Sequence, residues 1–121
     1  MQMRNPPSGP AVHQPSFANG PANVNVGAVA SIDWSLAPAQ TLTLSANCNV
    51  TSVRLPANEQ TWVQLKVVQG GAGSFVPTFV GALTPGGTPL TLSTTPGAVD
   101  FVSLFWDGVT LFAQVAGLDF K

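Results

Sequence analysis

In the stretch from Ala98 to Ala116, two runs of Val, Phe, Trp and Leu flank Asp107-Gly108, and no other segment restricts the fold as tightly. Asp-Gly between such runs marks a β-hairpin, because a type I′ turn needs φ > 0 at both central residues. Alternation then places Val99, Phe101, Ser103 and Phe105 on one face of the first arm, and Asp100, Val102, Leu104 and Trp106 on the other. Both faces are largely apolar. The hairpin is therefore expected either between packed sheets or against a second subunit, with Phe101, Leu104, Phe105, Trp106 and Phe112 in the core or the subunit interface.

Upstream of the hairpin the chain reads as short strands separated by turn residues. Gln40-Thr41-Leu42-Thr43-Leu44 alternates with its leucines inward, and Thr61 to Val68 sets Val63, Leu65 and Val67 against Trp62, Gln64 and Lys66. Shorter runs lie at Asn23–Val26, Val29–Trp34 and Asn49–Leu55, and another at Pro89–Leu92. Phe75 to Val80 contains Pro77, which limits that run to a sheet edge or a bulge. Gly70-Gly71-Ala72-Gly73 reads as a hairpin turn, and Gly81 to Pro89 as a loop. No segment keeps helical spacing over three turns, and no strict solenoid-type repeat is visible. About eight short strands at this spacing predict an all-β domain, a jelly-roll-like β-sandwich over residues 22–121. Residues 1–21 hold Pro6, Pro7, Pro10, Pro15 and Pro21 without periodicity, so they read as an extended N-terminal arm. Such a segment is either a mobile terminus or a strap that orders on a partner, with Arg4, Val12, His13 and Phe17 as its contacts.

Composition narrows the chemistry. Charged residues are only 7% of the 121, hydrophobic residues are 45%, and the net charge is −1. A surface built from Thr, Ser, Asn, Gln and apolar groups suits a protein held in an assembly better than a free monomer. Without a basic run, direct nucleic-acid binding is not expected, and no apolar run is long enough to span a membrane as a helix. The one histidine, His13, falls in the proline-rich arm, away from any scaffold that would position a catalytic set. Cys48 has neither a second cysteine nor a histidine beside it and reads as a small side chain at a strand start. The aspartates at 33, 100, 107 and 119 are scattered, with Asp107 a turn residue and Asp100 alternating outward. No catalytic residue, metal site or cofactor is expected, and an enzyme is not the reading.

A resemblance adds to this. Ile32-Asp33-Trp34-Ser35-Leu36, Gln40-Thr41-Leu42-Thr43-Leu44, the Gln69-Gly70-Gly71-Ala72-Gly73 turn, Pro85-Gly86-Gly87-Thr88-Pro89 through Ala98-Val99-Asp100, Trp106-Asp107-Gly108 and Gly117-Leu118-Asp119-Phe120 occur in an order that resembles the β module of tailed-bacteriophage virion proteins. That module is found at tail-fibre ends and in head decoration or fibre proteins. The likeness covers about residues 28–121; in place of the module's usual Thr-Val-Thr-Trp-Pro strand stands Phe75-Val76-Pro77-Thr78-Phe79-Val80. It implies a virion component, trimeric and without catalytic activity. Because only a short arm precedes the module, the expected function is a capsid decoration, or cement, protein on the outer surface of a phage head. Its expected partners are the major capsid protein and its own copies, with the arm as the strap. A tail-fibre or baseplate tip is the alternative. A carbohydrate-binding β-sandwich stacking sugars on Trp34, Trp62 or Trp106 is another.

Overall fold

The computed structural model describes residues 21–25 and 27–121. Arg4, Val12, His13 and Phe17 of the expected strap lie outside them. The described residues are β-rich, as the strand spacing predicts. They form β1 (Ala22–Val24), β2 (Val29–Asp33), β3 (Ala39–Leu44), β4 (Cys48–Val53), β5 (Thr61–Gln69), β6 (Pro77–Val80), β7 (Ala82–Leu83), β8 (Val99–Trp106) and β9 (Leu111–Gly117). A 3₁₀ turn at Pro85–Gly87 is the one helical element among them.

The strand directions are not those of a jelly roll. Sheet A has the order β1-β3-β5-β8-β9-β7, sheet B the order β2-β4-β6, and every pair in sheet B is parallel. In sheet A, β1, β3 and β5 are also mutually parallel, and only β5–β8 and β8–β9 are antiparallel. From β1 to β6 the chain alternates between the sheets, one strand in each per turn of a coil. Strand periodicity reports which face a residue takes but not which strand is its neighbour. The expected hairpin at Gly70–Gly73 is consequently a crossover from β5 in sheet A to β6 in sheet B.

The coil also escapes a search for a fixed repeat, because its turns lengthen. Ala22 pairs with Thr41 and Val29 with Asn49, but Ala39 pairs with Gln64 and Cys48 with Pro77. Pro77 opens the edge strand of sheet B, where a missing N–H is tolerated. Pro89–Leu92 is not a strand; Leu90 and Leu92 instead lay their side chains against the core from a loop.

One apolar cluster joins the two sheets. Ile32 and Val50 of sheet B meet Leu42, Leu44, Leu65, Val102 and Leu104 of sheet A, all nearly inaccessible to solvent. The inward leucines of β3 and the inward Val63, Leu65 and Val67 of β5 are those the alternation marks. On β8 the inward face is that of Asp100, Val102 and Leu104. Asp100 thus points in rather than out, at 2% exposure. It is tolerated because one carboxylate oxygen accepts from the Ser93 N–H (2.6 Å) and the other from the Asp119 N–H (2.7 Å).

Three buried amides do similar work. Gln69, at the end of β5, donates through Nε2 to the Phe75 and Ser93 carbonyls (2.5 and 3.1 Å) and accepts the Phe75 N–H at Oε1 (3.2 Å). Gln40 donates to the carbonyls of Asp33 and Ala37. Asn25 accepts the Ser45 N–H and donates to the Gly27 carbonyl. The loops held this way run close together: at Gly73, with φ of 75°, an added Cβ would sit 2.5 Å from the Thr94 carbonyl oxygen, so no other residue fits there.

The β8–β9 hairpin forms, but not around a two-residue turn. Trp106 pairs with Leu111, leaving a loop from Asp107 to Thr110 in which Gly108 alone has a positive φ. The Asp107 carboxylate accounts for the longer loop, since Oδ1 accepts from the backbone N–H of both Val109 (2.9 Å) and Thr110 (2.6 Å).

Two outcomes follow from these contacts. Gln69→Leu leaves three loop backbone groups without their side-chain partner and should lower stability by about 2–4 kcal/mol, read as a lower urea midpoint; an unchanged midpoint would show that water replaces the amide. The Thr110 and Val109 N–H groups hold the Asp107 carboxyl below its ordinary value. A depressed folded-state pKa gives stability that is present above about pH 4 and lost as pH falls through the folded value. Loop amide shifts should therefore move in acid in the native chain and stay flat over that window in Asp107→Asn.

Candidate functional site

The outward face of sheet A carries what the core does not absorb. Because β5, β8 and β9 are neighbours, residues of opposite parity on each strand line up in cross-strand rungs. Trp62 pairs with Phe105 and Phe105 with Phe112, giving an aromatic rung across three strands. Its ring centroids are 4.7 Å apart between Trp62 and Phe105 and 6.3 Å between Phe105 and Phe112. Two residues along each strand lies a polar rung of Gln64, Ser103 and Gln114, in which Gln64 Nε2 donates to Ser103 Oγ at 3.1 Å.

The aromatic rung, with Ser103 and Gln114 of the polar one, floors a groove of about 430 Å³, walled on the β7 side by Leu83 and Pro85. Trp62 is 62% exposed and Phe112 40%. No charged side chain lines the groove. Chemically it offers aromatic faces and neutral amide and hydroxyl groups, which suits an uncharged ligand with apolar surface and unsatisfied carbonyls.

The residues expected in the core or a subunit interface divide between these two places. Leu104 is in the core. Phe105 and Phe112 form the groove, and Phe101 lies farther along the same outer face, edge-on to Phe120 at 5.2 Å. Trp106 is half-buried against the core, and its indole N–H donates to the Pro56 carbonyl at 2.6 Å. Of the three tryptophans considered for stacking, Trp34 is 7% exposed, with its indole N–H donating to Ser52 Oγ at 2.9 Å, so Trp62 alone presents a free face. Among the described residues, Trp62 is also the one whose indole N–H has no protein acceptor. Gln114 and Leu83 carry no signal in the sequence, and Pro85 reads there only as part of a turn and of the resemblance, not as a groove wall. Their contribution depends on β9 register and on a two-residue β7 inside a stretch that reads as loop.

The other polar candidates are tied into structure. Asp33 is held below the usual carboxylate range first by the Ser35 hydroxyl and then by the Ser35 N–H and the Arg54 guanidinium, which lies 2.8 Å away. Asp119 pairs with Lys121 at 3.5 Å. Cys48 is buried at the start of β4, and burial pushes its thiol pKa up. Among the described residues no three His, Cys, Asp or Glu side chains gather as a metal site would require.

Trp62→Ala should change stability by less than about 1 kcal/mol, whereas Trp106→Ala, which opens the core, should cost at least about 2 kcal/mol. Denaturant titration of both variants checks the assignment; equal losses would place Trp62 among the structural residues. Comparison with family models, with curated proteins and with solved structures finds no match for this chain.

Proposed function

We propose that this protein is a structural component of a virion coat: a decoration, or cement, protein that sits as a trimer on the outer surface of a tailed-phage head and stabilises the joints between capsomers. The resemblance of residues 28–121 to phage virion modules supports this reading. So does one observation on the fold, the outward face of sheet B. There Val29, Asn49 and Thr78 line up across the three strands, and beside them Ser31, Thr51 and Val80. These two rungs carry no ionic group and expose Val29 and Val80; the Asp33–Arg54 ion pair closes the face at the far end of β2. A neutral surface of Thr, Asn and Val loses little solvation when covered, which fits a permanent contact with a protein shell better than life in free solution.

The major capsid protein is the partner on this reading, and the contact is sequence-neutral packing multiplied by symmetry rather than a few strong ion pairs. Thr51→Lys, on the middle strand of that face, should reduce occupancy on purified heads at least severalfold without altering the folded chain's urea midpoint. Unchanged occupancy would remove sheet B as the contact. A count of copies per particle tests location: many copies, in proportion to capsomers, support the head, and a handful would overturn it in favour of a tail or baseplate tip.

A further inference from the structure

We infer that the aromatic groove of sheet A is the docking site for the proline-rich N-terminal segment Asn5–Pro10 of the same chain. This does not rest on the decoration reading. It rests on two features of this molecule that complement one another.

The first is the chemistry of the segment. Asn5-Pro6-Pro7-Ser8-Gly9-Pro10 is uncharged, and three of its six residues are prolines, which favour the polyproline II conformation. That conformation has no internal hydrogen bonds, so its carbonyls seek donors while its proline rings seek flat apolar partners. Aromatic-lined grooves meet both needs and bind such segments at low ordering cost. Here the rings of Trp62, Phe105 and Phe112 supply the flat partners. The Trp62 indole N–H, which has no acceptor among the described residues, and the amide of Gln114 supply donors, and the groove's lack of charge matches the segment's.

The second is reach and direction. β1, β3 and β5 run parallel, with Ala22 opposite Thr41 and Thr41 opposite Lys66, so the chain entering β1 comes from the end of the sheet at which β5 begins with Thr61 and Trp62. Trp62 lies about 13 Å up-strand of Lys66, and β8 about 14 Å across from β1, a separation of roughly 20 Å from Ala22 to Phe105 at ordinary strand geometry. The eleven steps from Pro10 to Pro21 span about 34 Å in polyproline II form, enough to reach without strain and short enough to hold a high local concentration.

The test uses the full chain carrying Ser8→Cys with a nitroxide label. The buried Cys48 thiol, its pKa raised by burial, stays unlabelled in the folded protein. In ¹⁵N spectra the Trp62 indole signal, assigned by its loss in Trp62→Phe, should broaden strongly while the Trp34 indole stays sharp. Replacing Pro6, Pro7 and Pro10 together by alanine should restore the Trp62 signal with the label still present, and an unchanged Trp34 indole signal in the same spectrum checks that the fold is intact. No selective broadening of Trp62 overturns the proposal. So does equal broadening in label-free ¹⁵N chains mixed with spin-labelled chains of natural isotope content, which would make a second copy the occupant. A Trp62 signal indifferent to the label but displaced by a neutral oligosaccharide would give the groove to a sugar instead. Head occupancy plays no part in these measurements, so the decoration reading can fail while this one stands.

Discussion

Four buried polar side chains hold the loops of this fold in place. A coil that alternates between two sheets must turn at every strand end, and each turn leaves backbone N–H and C=O groups that no ladder satisfies. Asn25, Gln40, Gln69 and Asp100 are the only buried polar side chains among the described residues, and each gives its hydrogen bonds to loop or strand-end backbone. A buried unpaired backbone group costs about 1–3 kcal/mol, comparable to the gain from burying a whole aliphatic side chain. The apolar core supplies the cohesion, and these four residues make its loops affordable.

The same arrangement favours neutral side chains at the buried turns. Ionic groups would be the costliest way to line such crowded turns, whereas amides donate and accept at once without a desolvated charge. Asp100 is the exception, and two backbone N–H groups compensate it. Where charges do occur they stay at the periphery, as in the pair of Asp33 with the largely exposed Arg54.

Much of the fold could be read from residue order alone, and the missing part has a definite physical cause. Alternation assigns the inward leucines of β3, the split of Val63, Leu65 and Val67 from Trp62 and Gln64, and the two faces of β8, while the missing N–H of Pro77 limits its strand to an edge or a bulge, of which the edge is found. It cannot assign partners, since period two is the same whether the neighbour is parallel or antiparallel, adjacent in sequence or one coil away. For that reason the jelly-roll expectation failed at β1 to β6, where pairing is remote, while the hairpin expectation held at β8–β9, where it is local. Asp100 departs from its expected outward position for a related reason: a polar side chain reads as solvent-facing, and its two backbone donors come from segments that alternation does not bring near. The groove shows the same division. Trp62, Phe105 and Phe112 are each legible as apolar residues, yet their alignment is a property of register.

The all-parallel sheet B has a consequence for how the molecule comes together. None of its three strands can zip onto the next from a tight turn, because a strand of sheet A intervenes in the chain each time. Sheet B therefore draws none of its pairings from a local hairpin, and each one closes a loop that carries a strand of sheet A. Only β8 and β9 are sequence neighbours that pair, and every other pairing must first close a longer loop, whose entropy slows the search for the native arrangement.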